Sequence, residues 1–195
     1  ETSFGFVSHS FRFAEKAPKV FFVQDVLSYK DFEEVNDEFK PLNNHWSFTK
    51  SEQHGQSPVF GNLAESRGGL SLGDCQKFIE IGSKINLLSQ KILGSPTQLV
   101  RINTNIQFTG QESNFHVDSS PEMRWWTFVL FANMSWSTEW GGELIINTSD
   151  HDYLGLPFLP NCGVLFDGSL PHRGSAPNRL CLNHRQSVAF SLQQL

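Results

Sequence analysis

Residues 124–133 read RWWTFVLFAN, an apolar and aromatic run of about the length of one buried β-strand. The second half of the chain contains four more runs of this kind, separated by Gly, Pro and Asn: Leu99–Phe108, Glu143–Asn147, Gly163–Phe166 and Arg185–Leu192. Short strands that recur between turn residues are typical of an all-β sandwich or barrel. We therefore expect residues 98–195 to form a double-sheet jelly roll.

The first half of the chain has helical patterns instead. One predicted helix begins after Ser28, a residue type that caps helix N-termini, and runs to about Lys40. A second predicted helix spans about residues 72–93, because its large apolar residues fall at helical spacing. Residues 19–26, KVFFVQDV, predict a buried strand ahead of the first helix. The first 16 residues show no clear pattern and are expected to pack loosely.

These patterns together predict an α+β fold, with a double-stranded β-helix (jelly roll) core and N-terminal supporting helices. The helices would lie within about residues 17–97 and the core within about residues 98–195. The whole chain, 1–195, is expected to be one domain because single cores commonly reach this size. Residues 41–70 are polar and predict a long loop with short strand pieces at most. This loop, with Trp46, Phe48 and Phe60, and the short loop 149–160 are expected to select the substrate.

Composition excludes several classes of protein. The formal net charge is −5 and no basic run stands out, which argues against nucleic-acid binding. No apolar stretch approaches the roughly 20 residues that span a bilayer, so no membrane association is expected. The cysteines are Cys75, Cys162 and Cys181, an odd number without a CxxC motif, which favours a reducing, cytoplasmic location. No secretory signal is visible, and Glu1 in place of an initial Met predicts a trimmed chain.

Two separated motifs predict a metal site. His116 and Asp118 lie two residues apart, so both side chains would point to the same face of a strand. His172 follows Pro171 in a second motif, LPHRG. Two imidazoles and one carboxylate are the ligands of the facial triad in non-haem Fe(II) oxygenases. Four other histidines are alternatives as metal ligands, but they are expected in loops or directed away from the site: His45, His54, His151 and His184.

An arginine near the C-terminus is a candidate for binding an anion. Arg185 and Ser187 share one face of the last predicted strand, and a guanidinium can pair with a carboxylate in two places. Arg173 and Arg179 are alternatives. The strand at 99–108 also carries a polar face, which either lines a cavity or is a solvated edge: Asn103, Asn105 and Gln107.

These motifs, in this order, resemble the Fe(II)/2-oxoglutarate-dependent dioxygenases, and most closely the short prolyl 4-hydroxylase-like branch. The segments WGGEL at 140–144 and DGSLPHR at 167–173 lie between His116 and Arg185 and add to the likeness. The resemblance covers about residues 98–195 strongly and 17–40 weakly. It implies that Fe(II) is bound by the triad, which would be catalytic: His116, Asp118 and His172. It also implies a group of residues around 2-oxoglutarate: Arg185, Ser187, Asn105 and Gln107.

The implied reaction is hydroxylation of a C–H bond, which the likeness to the prolyl 4-hydroxylase branch places in a prolyl residue of a protein or peptide, with release of succinate and CO2. Fe(II), 2-oxoglutarate and O2 would be required, with ascorbate as an optional addition. Related oxygen-sensing hydroxylases of animals have a tyrosine where this chain has Phe131, so cosubstrate binding is expected to differ.

Other functions remain open at this point. One is hydroxylation of a free amino acid or another small molecule. A second is a non-catalytic jelly-roll module for binding or structure, and a third is a zinc hydrolase. Nucleic-acid demethylation is disfavoured because Ser191 stands where that branch has a second arginine.

Overall fold

The computed structural model describes residues 10–39, 47–48, 60–65, 76–149 and 152–195. Within these residues the helices are α1 (Tyr29–Asp37) and α2 (Gln76–Leu93). The strands are β1 (Arg12–Ala17), β2 (Val20–Gln24), β3 (Ser47–Phe48), β4 (Phe60–Glu65), β5 (Thr97–Gln107), β6 (Trp125–Phe131), β7 (Leu144–Ser149), β8 (Asp152–Leu156), β9 (Gly163–Asp167), β10 (His172–Gly174) and β11 (Arg185–Gln194).

The larger sheet has eight strands in the order β1-β2-β9-β6-β11-β5-β4-β3, and each pair is antiparallel. Strand β6 is apolar on both faces because the sheet is covered on both faces. Phe128 and Leu130 pack into the core shared with the helices, whereas Phe131 packs into the core shared with the smaller sheet. This explains the unbroken apolar run that the sequence shows there.

The smaller sheet has the strand order β10-β7-β8. A single β-bridge between His116 and His172 attaches residue 116 to the edge of β10. The two sheets enclose a second apolar core that includes Ile146, Phe158 and Phe166, none of them more than 1% exposed. The described part of the chain is thus mostly β, with α1 and α2 on the outer face of the larger sheet.

The helices support that sheet from outside. Helix α1 begins at the predicted position, where Ser28 Oγ accepts a hydrogen bond from the Asp31 backbone N–H at 3.2 Å. It ends at Asp37, earlier than expected. Helix α2 lies close against β5, since a Cβ at Gly82 would stand 2.6 Å from Leu99 Cδ2. Among the described residues, neither helix combines the length and apolar character that crossing a membrane requires.

The structure corrects two expectations about edge segments. Residues 12–16, part of the segment expected to pack loosely, lie in β1 (Arg12–Ala17), which pairs with β2. The predicted loop 149–160 contains β8, which pairs with β7. Residues 41–70 hold β3 and β4 as the short strand pieces, and Trp46 lies outside the described residues.

Candidate metal centre and carboxylate pocket

Backbone hydrogen bonds bring the two predicted metal motifs together. The backbone N–H of His116 donates to the His172 carbonyl at 3.0 Å, and the N–H of His172 donates back at 2.9 Å. The Asp118 N–H donates to the carbonyl of Gly168 at 2.8 Å. The potential ligand atoms of His116, Asp118 and His172 consequently lie within 4.8 Å of one another.

Both imidazoles are held with the same nitrogen facing the carboxylate. Nδ1 of His116 lies 3.1 Å from the Asn114 carbonyl, and Nδ1 of His172 lies 2.9 Å from the Leu170 carbonyl. A carbonyl only accepts hydrogen bonds, so each Nδ1 is the donor in these contacts, and Nε2 is the nitrogen that binds a metal when the ring is neutral. The Nε2 atoms lie 4.0 Å and 3.6 Å from the carboxylate oxygens of Asp118. This donor set fits a divalent metal ion.

Two further side chains hold the Asp118 carboxylate. Thr127 Oγ1 donates to Oδ2 at 2.6 Å, and an Nη atom of Arg101 donates to Oδ1 at 3.2 Å. Burial raises the pKa of Asp118, but His172, the Thr127 hydroxyl and Arg101 together lower it below its ordinary value. The carboxylate is therefore ionised, which is the form that binds a metal.

Arg185 lies at the other end of the same cavity and is 2% exposed. Its Nε donates to the Gly142 carbonyl at 2.9 Å, and its Nη1 donates to Gln107 Oε1 at 2.8 Å and to Ser187 Oγ at 3.0 Å. Its guanidinium carbon lies 4.8 Å from the centre of the Phe158 ring. These partners are neutral, and no ion pair among the described residues includes Arg185.

Burial without a paired carboxylate has an electrostatic consequence for Arg185. It lowers the pKa of the guanidinium to about 10, with the more distant charge of Glu143 acting in the opposite direction. At neutral pH the group is still a cation. A buried cation is costly unless an anion pairs with it, so this end of the cavity is suited to a carboxylate ligand.

The two ends belong to one cavity that is partly open to solvent. Asn105 lines it, and the buried amide oxygens of Asn103 and Asn105 have no hydrogen-bond partner among the described residues. Gln107 instead contacts Arg185 directly. The alternative of a solvated edge is wrong for this face, because β5 lies between β11 and β4.

The competing residues lie elsewhere. Arg179 is exposed, and Arg173 stacks its guanidinium carbon 5.0 Å from the centre of the Phe115 ring. The imidazole of His184 packs on Phe108, with 5.4 Å between ring centres. His45, His54 and His151 lie outside the described residues.

Sequence reasoning did not identify Arg101 or Thr127. Arg101 lies two residues before Asn103, so it belongs to the same strand face as Asn103, Asn105 and Gln107. This spacing is the signal that could have placed Arg101 in the cavity. Thr127 lies in an apolar run, and nothing local to that run marks it as a partner of Asp118.

No protein-family model and no curated protein matches the chain. Solved structures do match. A Pseudomonas putida prolyl-4-hydroxylase is 14% identical with a TM-score of 0.69, over 91% of this chain and 93% of that chain. A Trichoplax adhaerens prolyl hydroxylase, in complex with a hypoxia inducible factor peptide fragment, is 13% identical with a TM-score of 0.68, over 90% and 83%.

A third match is SnoN, a non-heme alpha ketoglutarate dependent epimerase from nogalamycin biosynthesis. It is 14% identical with a TM-score of 0.69, over 90% of this chain and 77% of that chain. At these identities the likeness establishes the fold, which is that of prolyl 4-hydroxylases and other 2-oxoglutarate–Fe(II) oxygenases. The resemblance noted from the sequence is confirmed at that level.

Proposed function

We propose that the chain is an Fe(II)- and 2-oxoglutarate-dependent oxygenase that hydroxylates a C–H bond. One observation carries the proposal: two imidazoles and an ionised carboxylate share a cavity with a buried guanidinium that has no carboxylate partner among the described residues. A metal at one end and an anionic cosubstrate at the other would satisfy both groups of residues. The two sheets are interpreted as the halves of a double-stranded β-helix, and residues 1–195 as one catalytic domain.

Each residue has a proposed task. His116, Asp118 and His172 would bind the metal, with both imidazoles oriented through their Nδ1 atoms. Arg185 and Ser187 would bind the far carboxylate of 2-oxoglutarate. Bound iron and 2-oxoglutarate would supply the oxidant for insertion of oxygen from O2 into the C–H bond, with release of succinate and CO2.

The remaining cavity residues would shape the cosubstrate site. Gln107 fixes the guanidinium of Arg185. Asn105 pairs with Ser187 across β5 and β11, and its amide oxygen has no hydrogen-bond partner in the described part of the chain. Apolar side chains of Val129, Leu144 and Ala189 also line the cavity and would exclude water from the cosubstrate. The use of ascorbate and a cytoplasmic location stay predictions from the sequence.

The proposed substrate is a prolyl residue in a protein or peptide. Two of the similar structures are prolyl hydroxylases, and one of them was determined with a peptide fragment bound. A small molecule is the second candidate, because the equally similar SnoN acts in nogalamycin biosynthesis. A non-catalytic binding module is disfavoured, since it would leave the converging side chains of His116, Asp118 and His172 without a purpose.

The test is mass spectrometry of succinate and of the candidate substrates. The protein would be loaded with Fe(II) and 2-oxoglutarate without oxygen, mixed with a panel of proline-containing peptides or with free amino acids, and exposed to air. An Asp118→Ala variant provides the matched control. We expect succinate together with a peptide that gains one oxygen atom.

The outcomes separate the candidates. Succinate without peptide oxidation, but with oxidation of a free amino acid, would replace the peptide proposal by the small-molecule one. No succinate from any mixture would contradict the oxygenase proposal and favour a binding module.

A further inference from the structure

Arg101 reaches the candidate metal centre from a strand that the metal motifs do not include. It pairs across β5 and β11 with Ser191, which in turn pairs with Thr127 on β6. The three side chains form one row across the sheet at the metal end of the cavity, whereas Gln107 and Arg185 pair at the opposite end. The position of Arg101 is thus set by strand register.

The guanidinium of Arg101 is held on several sides. An Nη atom donates to Asp118 Oδ1 at 3.2 Å, and Nε donates to Ser191 Oγ at 3.2 Å. The guanidinium carbon lies 5.9 Å from the centre of the Trp125 ring. The side chains of Arg101 and Asp118 are 28% and 12% exposed, so solvent screens this pair less than an ordinary surface ion pair.

We propose that Arg101 is a positioning residue that holds the Asp118 carboxylate and cancels its charge, so that the centre binds its metal less tightly and a dianionic cosubstrate more tightly. The inference rests on the proposed function. It assigns a role to a residue that makes no ligand bond itself. The carboxylate of Asp118 and the guanidinium of Arg101 sum to zero net charge before any metal binds.

The charge argument predicts opposite effects on the two binding events. A doubly charged cation is repelled by Arg101 twice as strongly as a singly charged one at the same distance. The same positive charge attracts 2-oxoglutarate, which carries two carboxylates. Removing Arg101 should therefore strengthen metal binding and weaken cosubstrate binding. Loss of a merely structural contact would weaken both.

A variant of Thr127 allows the effect of orienting the Asp118 carboxylate to be measured separately from the effect of the charge of Arg101. Thr127 donates to the other oxygen of the same carboxylate but is neutral. A Thr127→Val variant removes orientation without removing charge, and loss of such supporting hydrogen bonds costs about 10–100-fold in metal affinity. Thr127→Val and Arg101→Gln should therefore shift metal affinity in opposite directions.

The experiment measures two affinities by calorimetry without oxygen: that of Mn(II) for the metal-free protein, and that of 2-oxoglutarate for the protein saturated with Mn(II). We expect Arg101→Gln to bind Mn(II) about tenfold more tightly and 2-oxoglutarate about tenfold more weakly. Arg101→Lys should restore both affinities towards those of the unchanged protein. The control for net charge is Arg12→Gln. Arg12 lies on β1 and pairs with Asp25, and its replacement should change neither affinity.

The inference is overturned if Arg101→Gln weakens both affinities together, or changes neither. Its failure can be told apart from failure of the proposed function. If the unchanged protein binds Mn(II) but not 2-oxoglutarate, the proposed function fails and the Mn(II) comparison alone decides the inference. If the unchanged protein binds no Mn(II), the proposed function also fails, and binding gained by Arg101→Gln would support the inference whereas continued absence would overturn it.

Discussion

Nη1 of Arg185 donates to Oε1 of Gln107 at 2.8 Å and joins β11 to β5 at the buried end of the cavity. The amide nitrogen of Gln107 donates in turn to the carbonyl of Gly174 at 3.2 Å, which fixes which end of the amide faces the guanidinium. The cation is thereby oriented before any ligand enters. Preorientation of this kind reduces the entropy that binding has to overcome.

Replacement of Arg185 by methionine should abolish cosubstrate binding and leave the metal site intact. Loss of one member of a buried charge pair costs about 2–5 kcal/mol, so the affinity for 2-oxoglutarate should fall by about 30-fold or more. Calorimetry on Mn(II)-loaded protein measures this directly. Arg179→Gln, which changes an exposed arginine, is the control. Unchanged affinity in Arg185→Met would refute the assignment of the pocket.

Gln107→Leu should have a smaller effect on the same measurement. The change keeps a side chain of similar size but removes the acceptor for Arg185, and hydrogen bonds to charged groups contribute about 1.5–3 kcal/mol. We expect about tenfold weaker binding of 2-oxoglutarate with unaltered Mn(II) affinity. Gln98→Leu, at an exposed position of β5, should behave like the unchanged protein. Equal behaviour of the two variants would argue that Arg185 needs no support from Gln107.

His116→Ala and Asp118→Ala should each lower the affinity for the metal by a factor of about 100 or more, because each removes one of three ligands. His184→Ala is the matched control, since its imidazole packs on Phe108 outside the triad. Titration with Mn(II) gives the affinities, and circular dichroism checks that the variants fold. Retained affinity in Asp118→Ala would show that the metal binds elsewhere.

Asp167 should make the free energy of unfolding depend on pH. Burial raises the pKa of its carboxyl, but Lys19 and Ser169 together lower that pKa by more, so the net shift is downward from 3.8. A group with a depressed folded pKa stabilises fully above its unfolded pKa and loses this contribution as pH falls through the folded value. Asp167→Asn should therefore lower stability by about 1 kcal/mol at pH 7, and the difference should shrink below about pH 4.

Urea unfolding at several pH values measures this difference for Asp167→Asn. The lysine is largely exposed, which limits the contribution of the ion pair itself. A difference that stayed constant from pH 7 to pH 3 would mean that the charge of Asp167 does not contribute and that only its hydrogen bonds do.

Much of the core could be predicted from the sequence because it leaves local signals. The run at 124–133 predicted β6, and the two-residue spacing of His116 and Asp118 predicted that both point the same way. Strand β1 gave no such signal: five of its six residues are exposed, so apolar and polar positions do not alternate by burial.

Arg101 could not be connected with Asp118 from the sequence for a different reason. Their contact depends on the register of three strands that place residues 101, 191 and 127 side by side. Register is set by packing across the whole sheet and by turn geometry, not by the residues near the contact. The sequence therefore predicted the ligands better than the side chains that support them.

The turn at Gly168 links the two distant halves of the candidate centre. Its carbonyl accepts from the N–H groups of Asp118 and Ser119, and a methyl group at this glycine would stand 3.0 Å from Ser119 Oγ and 3.1 Å from the Trp125 carbonyl oxygen. The distance between the two motifs in space therefore depends on this turn as well as on the backbone hydrogen bonds between His116 and His172. Even an alanine at position 168 would crowd both neighbours, so the geometry of the centre also constrains a residue that supplies no ligand.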